Sequence, residues 1–448
     1  MTEQSEHTPE RVSEPARRPR TRPDGDVRAR WAFAEQSVWT NRMLTTLEAG
    51  VKGGRWHSLI DKVHGEANLF WSFTQVAQNQ GAAGVDHVTI DQFATGLVPR
   101  LRRLTKMLAE GSYHPQDIRR AWIDKPGTTE KRPLGIPTVR DRVVQTALRN
   151  VIEPIFERDF AEHSYGFRPG RGCKDALRRV DQLIKSGYRY VVDADLKSYF
   201  DTIPHDRLLG LVSQKISDSR VLSLISLFLK LGVMDGLDRM IPEQGSPQGA
   251  VISPLLSNIY LDPLDHLMAQ AGFEMVRYAD DFVILCRDRQ TAEAALQKVQ
   301  EWTAQAGLTL HPEKTRVVDA EQDGFDFLGY HFQSEQRWPR KKSLDKLKAS
   351  VRAKTKRANG HSLATIISDV NPTLRGWFEY FKHSHRYTFS ALDGWIRMRL
   401  RSILRKRLGL KGCGRGRDHQ RWPNAYFAKA GLFSLVTAHR IACQSSKR

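Results

Sequence analysis

Two apolar rhythms alternate between residues 188 and 335. Short strand-like runs, "YRYVVDADL", "VRYADDFVIL", "TRVVDA" and "FDFLGYHF", are interleaved with runs of helical period. The latter include "RLLGLVSQKI", "LISLFLKLGV", "PLLSNIYLDPLDHLMAQ" and "AEAALQKVQEWTAQAG". Such alternation predicts an α+β domain, an antiparallel sheet backed by helices. Upstream, residues 31–73 carry helical spacing, and "RLRRLTKMLAEGSYH" reads as another helix. The stretch "DKPGTTEKRPLGIPTVRDRVVQTAL" predicts a hairpin closed at Pro126-Gly127 and then a helix. Beyond Trp338 the pattern is helical again. Residues 1–30 are Pro- and Arg-rich with almost no large apolar side chains, which predicts a disordered basic leader. No internal repeat is visible.

A chain of 448 residues with 40% hydrophobic content can build two or three cored domains. Its formal charge of +20 points to a polyanionic partner, nucleic acid or an anionic membrane surface. No run approaches the roughly 20 apolar residues that cross a bilayer, so nucleic acid leads and no membrane association is expected. Cys173, Cys286, Cys413 and Cys443 are isolated from one another and form no C-x-x-C pair. A zinc knuckle or redox dithiol is therefore not expected, and a reducing cytoplasm fits.

The charge sharpens the picture at one place. Asp280 and Asp281 interrupt the apolar run "FEMVRYADDFVILC". Buried carboxylates are costly unless paired or holding a metal. On a continuous strand the two would point to opposite faces, whereas at a tight turn both can approach one site. A third carboxylate can come from "YVVDADLKSYFD", through Asp193, Asp195 or Asp201. Taken alone, an Asp-Asp pair is common turn chemistry. Converging from separate strands, three carboxylates suit hard divalent cations, and two ions about 4 Å apart can assist phosphoryl transfer.

The motif "YADD" resembles the Y/F-x-D-D of reverse transcriptases, and "DLKSYFD" resembles their upstream palm motif. Further blocks follow in family order: "KRPLGIPTVRDRVVQTAL", "HSYGFRPGRGCKDAL", "EQGSPQGAVISPLLSNIYLDPLD", "GLTLHPEKTRV" and "FDFLGYHF". Together they resemble a bacterial group II intron-encoded reverse transcriptase and maturase over about residues 55–445. The resemblance implies a right-hand polymerase, fingers and palm followed by an α-helical thumb/maturase domain. The expected boundaries are 31–187 for the N-terminal extension and fingers, 188–335 for the palm, 338–408 for the thumb/maturase and 409–448 for a short basic tail.

Residue by residue, the resemblance implies that Asp195, Asp280 and Asp281 are catalytic and hold two Mg²⁺ ions. Asp193 stays possible by spacing. Phe200 matches the aromatic gate that excludes a ribonucleotide 2′-OH. Gln248, with Gly249, matches the nucleotide-pocket element, and its other reading is a turn that opens a helix. Lys125, Arg132 and Lys314 match cations near the triphosphate. Arg168 contacts template or packs structurally, and Tyr278 sits near the primer end or in the core.

Between Arg337 and Lys411 stand 20 Lys/Arg against 4 Asp/Glu, a density that marks a polyanion-binding face. Trp377, Phe378, Tyr380, Phe381 and Trp395 are expected to form mostly helical core. The complementary face would offer Arg397, Arg399, Arg401, Arg405, Lys406 and Arg407 to RNA phosphates. "LRGWFEYF" adds to the resemblance, implying that this region binds intron RNA and assists its splicing. Many relatives carry a C-terminal H-N-H endonuclease with cysteine pairs. Here no such pair precedes Arg448, so second-strand cleavage is not expected and cDNA priming would use other DNA ends, such as nascent strands at a replication fork.

The implied activity is RNA-directed DNA synthesis that copies intron RNA for retrohoming, with RNA template, DNA primer or target and deoxynucleoside triphosphates as partners. Two alternatives stay open: a splicing-only maturase, and a reverse transcriptase of a phage-defence or CRISPR-associated system. Monomer and homodimer are equally compatible with the sequence.

Overall fold

The computed structural model describes residues 27–124, 131–358, 360–412, 414 and 416–445. Its strands, in chain order, are β1 (Ile118–Asp124), β2 (Lys131–Ile136), β3 (Tyr190–Asp195), β4 (Val233–Asp235), β5 (Asp238–Met240), β6 (Glu274–Tyr278), β7 (Asp281–Cys286), β8 (Arg316–Asp319), β9 (Phe325–Phe327), β10 (Tyr330–Gln333) and β11 (Gln336–Pro339). They form three sheets with orders β2-β1-β4-β5, β6-β7-β3-β8 and β11-β10-β9. Every pairing is antiparallel except β1 with β4.

The four-stranded sheet β6-β7-β3-β8 is the predicted palm. After Asp281, β7 is buried at each of its remaining five positions. That explains a continuous apolar run where a half-exposed strand would alternate. Helix Arg289–Gln305 packs on β3 and β7, and helix Cys173–Lys185 packs on β6 and β7. The first sheet belongs to the fingers. Behind it lies helix Val139–Glu157, buried on nearly every face and packed against helix Glu66–Asn79. Its start is fixed by Thr138, whose hydroxyl accepts from the Asp141 amide. Buried Asp141 in turn accepts from the Tyr113 hydroxyl at 2.6 Å and the Gln116 amide at 3.0 Å. Such satisfaction is what allows a carboxylate inside a core.

Several boundaries differ from the sequence expectation. Val27–Arg30, assigned to the leader by composition, forms a helical turn, and 1–26 lie outside the described residues. Strands β4 and β5, inside the expected palm span, join the fingers sheet through the β1–β4 pairing. The palm-side sheet runs on to Pro339, because β11 pairs with β10. The short basic tail expected after 408 carries helices Arg417–Arg421, Asn424–Lys429 and Leu435–Ser445, and Phe427, Leu435 and Trp422, which follows the first of these, are buried in the core of helices Leu363–Phe381 and Tyr387–Arg407. Short apolar runs separated by Pro and Gly carry too little periodicity to announce that packing.

Palm and thumb share a seam. Phe381 is buried in the palm-side cluster, 5.0 Å from the Tyr330 ring, and the Tyr330 hydroxyl donates to the Tyr380 carbonyl. Of the expected helical aromatics, Phe378 faces the thumb core, whereas Phe381 and Tyr380 face the palm. Among the described residues no helix is long and apolar enough to cross a membrane.

Candidate active site

The strand register brings the predicted carboxylates together. Asp195, the last residue of β3, lies directly opposite Asp281, the first residue of β7. Tyr278 pairs with Asp281 across a two-residue turn, Ala279-Asp280, so the third carboxylate stands at the same sheet end. Asp193, two residues before Asp195, shares its face of β3. Directly opposed like charges repel, which adds to the cost of desolvating the cluster. Asp281 keeps solvent contact, yet desolvation by the surrounding protein, then Asp193, Asp280 and Asp195, pushes its carboxyl up to about 7. Burial, opposed by Arg316, carries Asp193 to about 6. Burial, then the Asp195 charge, raises Asp280 as well.

Protein cations answer this charge only in part. The Lys314 ammonium reaches the Asp195 carboxylate at 2.5 Å. Its loop is held there by the His311 amide, which donates to the Asp195 carbonyl at 2.7 Å. Arg340 and Arg132 oppose the charges of Asp281 and Asp280 respectively from farther away. Among the described residues no three His, Cys, Asp or Glu side chains close into a ready-made cation cage. An open array is still compatible with Mg²⁺, which takes one or two carboxylates and fills its remaining positions with water and substrate phosphates.

Beside the carboxylates lies an open recess of about 200 Å³ lined by Arg120, Gly135, Phe200, Asp201, Pro247 and Gln248, among others. Asp195, Asp280 and Asp281 do not line it. Phe200 follows Asp195 by five residues and is 8% exposed. Its carbonyl accepts from the Ser246 amide at 2.6 Å, tying Phe200 to the "GSPQG" loop. Gln248 is held three ways. Its carbonyl accepts from Gly135 at 2.6 Å, its side-chain oxygen accepts from Arg132 at 2.9 Å, and its amide nitrogen faces Asp201 at 3.5 Å. A Cβ on Gly249, at φ +104, would fall 2.5 Å from the Gly135 carbonyl, so the fingers–palm approach there requires glycine. Lys125 lies outside the described residues.

Sequence reasoning passed over what holds the turn. Arg277, read as part of an apolar flank, is fully buried. It forms a bidentate pair with Asp265 and donates to the Asn258 side chain at 3.0 Å and the Ala279 carbonyl at 2.8 Å. The one available signal was a lone arginine inside an otherwise apolar strand.

Two expected RNA contacts are corrected. Arg168 is 6% exposed, and its guanidinium is consumed by Glu157 and the carbonyls of Ala161 and Ser164. It braces the "GFRPG" loop from a buried position and does not present its guanidinium at the surface. Arg401 is 2% exposed, bonded to the Trp422 carbonyl and the Asn424 side chain, and stacked over Phe427. It binds the C-terminal helices into the core. Arg397 pairs with Asp393, Arg399 bonds Thr355, and Arg405 pairs with Asp418, all partly buried. Arg407 donates to the His361 carbonyl yet stays exposed, and Lys406 is exposed. The open basic face lies instead on helix Lys341–Lys354 and just beyond it, at Lys341, Lys342, Lys346, Arg352, Lys356 and Arg357. Tyr278 packs beside Phe167 at the edge of the palm core.

Comparison with known proteins adds independent findings. A family model described as "Reverse transcriptase (RNA-dependent DNA polymerase)" matches residues 123–332. A second, "Group II intron, maturase-specific domain", matches residues 344–422. The group II intron-encoded protein LtrA of Lactococcus lactis subsp. cremoris is 38% identical over 208 residues, 46% of this chain and 34% of LtrA. The chain thus spans about a third of that relative's length. Protein YkfC of Escherichia coli (strain K12) is 36% identical over 287 residues, 55% of this chain and 74% of YkfC. A solved structure titled "Partial Cas6-RT-Cas1--Cas2 complex" has a TM-score of 0.37 and 21% identity over 55% of this chain and 42% of its own, a likeness too slight to carry an argument.

The reassigned arginine supplies a test. Arg401→Met should cost about 2 kcal/mol of folding stability, the scale of hydrogen bonds to a charged group, read as a lower denaturation midpoint. RNA affinity per folded molecule should not change.

Proposed function

The chain belongs to the family of group II intron reverse transcriptases and maturases, and from that premise we propose that it is an RNA-directed DNA polymerase that also binds intron RNA to assist its splicing. The observation that carries the polymerase reading is the register of β3 against β7, with Asp195 facing Asp281 and Asp280 in the adjoining turn. Copying intron RNA into cDNA for retrohoming follows from the same reading. The maturase-specific match favours intron RNA over a defence-system role.

The residues present fit a divalent metal. Desolvation first, and then the neighbouring carboxylates, lift Asp281 to about 7, and the cluster's donors are the hard oxygens that Mg²⁺ prefers. Asp195, Asp280 and Asp281 would hold two Mg²⁺ ions, which when bound supply charge neutralisation at the attacked phosphate and at the primer hydroxyl. The chain's own part is to bind and orient. Phe200 closes the recess with a ring that has neither room nor acceptor for a 2′-OH, so deoxynucleotides are favoured. Arg132 and Lys314 present cations toward the triphosphate side, and Gln248, fixed by Gly135 and Arg132, shapes the floor under the base pair. The primer 3′-OH attacks the α-phosphate, forming the new ester while pyrophosphate departs. Positioning of this kind accounts for much of the barrier reduction in phosphoryl transfer.

For RNA, the support is the exposed basic face of helix Lys341–Lys354, with Lys356, Arg357, Lys406 and Arg407. Phosphate contacts of this type give affinity that falls steeply with salt and carry little sequence information.

Three outcomes test the proposal. Asp280→Ala should reduce primer extension on an RNA template to background while RNA binding persists; joint loss of both would indicate misfolding. Phe200→Ala should lower the preference for deoxynucleotides about tenfold or more, at least 1.4 kcal/mol of discrimination, measured as the ratio of kcat/KM values. Changing Lys341, Lys342, Lys346 and Arg352 to Gln should flatten the salt dependence of RNA binding, by about one unit of slope for each phosphate no longer engaged. An unaltered slope would remove that face.

A further inference from the structure

We infer that Arg277, with Asp265 and Asn258, is the positioning clamp that sets the geometry of the Ala279-Asp280 turn and thereby the divalent-cation affinity of the carboxylate cluster. The inference rests on the polymerase reading above. Ala279 sits at φ +60, a left-handed conformation that a residue with a Cβ adopts only under constraint. Its carbonyl accepts from Arg277 Nη1 at 2.8 Å, and the same nitrogen donates to Asn258 Oδ1 at 3.0 Å. Asn258 Nδ2 then donates to the Gly166 carbonyl at 2.8 Å. Gly166 lies against the other side of the turn, so close that a Cβ there would stand 2.1 Å from the Ala279 nitrogen. The turn is thus gripped from below by a guanidinium and from the side by a backbone that tolerates no side chain.

Folding alone does not account for this network. Arg277 and Asn258 are 0% exposed and Asp265 is 6% exposed, and an apolar replacement of a buried ion pair is often neutral or stabilising. What apolar residues cannot supply is a planar fork that reaches Asp265, Asn258 and the Ala279 carbonyl at once. Lysine keeps the charge and loses that fork.

The test uses the full chain. Divalent binding is read by Mn²⁺ titration of the protein without nucleic acid, and primer extension is read as a function of Mg²⁺. In the paired variant Asp265→Leu/Arg277→Met, the thermal midpoint should stay near that of the wild type. Mn²⁺ affinity should weaken about 10–100-fold, as it does when groups that orient metal ligands are removed. The Mg²⁺ concentration for half-maximal extension should rise in parallel, while nucleotide KM at saturating Mg²⁺ stays unchanged. Arg277→Lys should weaken binding in the same direction. A folded double variant with wild-type Mn²⁺ affinity overturns the clamp. If the double variant does not fold, Asn258→Ala decides, since it keeps the Asp265 ion pair and the bond to the Ala279 carbonyl while cutting the Asn258 links to Arg277 and Gly166. Weaker Mn²⁺ binding supports the clamp, and unchanged binding overturns it. A wild-type chain that neither binds Mn²⁺ nor extends a primer would instead sink the polymerase reading, and the clamp with it.

Discussion

Like-charge repulsion at one end of one sheet is the constraint around which the molecule is arranged. The hydrogen-bond ladder of β3 and β7 forces Asp195 and Asp281 to face each other, and Asp193 and Asp280 stand within reach. Backbone pairing tolerates this because its register is fixed by the apolar remainder of both strands. A one-residue slip would turn Val191 and Val283 off the faces they fill. The unmet charge has to be answered from outside the sheet, and the neighbouring cations do so in part. Lys314 arrives on a loop tied to the Asp195 carbonyl, Arg132 on the fingers hairpin and Arg340 at the start of the thumb. Each comes from a separate part of the chain, so fingers, palm and thumb are all drawn toward one point.

What could be read in advance follows from which signals are local. The carboxylates were legible because strand pattern, turn chemistry and motif order all fall within short windows, and the α+β palm was legible for the same reason. The clamp was not. Arg277, Asp265 and Asn258 look like an edge arginine and two polar positions on a helix, and only the tertiary fold turns them into one buried network. The joining of β4–β5 to the fingers escaped notice because a parallel pairing across more than a hundred residues leaves no local trace. Arg168 and Arg401 show the limit of counting charge. Composition reports how many cations a segment holds, while burial decides which of them remain available to a partner.

The redistribution of the basic face has a physical logic. Helix Tyr387–Arg407 is the central member of the thumb core, so its buried stripe takes Leu392, Ile396, Leu400 and Ile403. With the C-terminal helices packed on it, most of its arginines become internal ties: Arg397 to Asp393, Arg401 to Trp422 and Asn424, Arg405 to Asp418. Helix Lys341–Lys354 is different. It fully buries only Leu347 and Val351, half-buries Leu344 and Lys354 against the neighbouring helix, and leaves Lys341, Lys342, Lys346 and Arg352 exposed.

Its N-terminal turn makes the same point from energetics. A helix begins with a partial positive charge, and acidic residues or a side-chain cap normally stabilise it there. Here the first turn opens with Lys341 and Lys342 after Arg340, without an acidic residue and without a side-chain cap bond. Each misplaced cation costs roughly 0.3–1 kcal/mol at low ionic strength. A sequence optimised for folding alone would put Asp, Ser or Thr at these positions. The arrangement is consistent with an anion that comes from outside the chain, and it lies where the thumb joins the palm, next to the sheet end whose carboxylates need the opposite sign. Phosphates that satisfy the thumb cations and metal ions that satisfy the aspartates would be two halves of one charge balance, completed when a nucleic acid spans them.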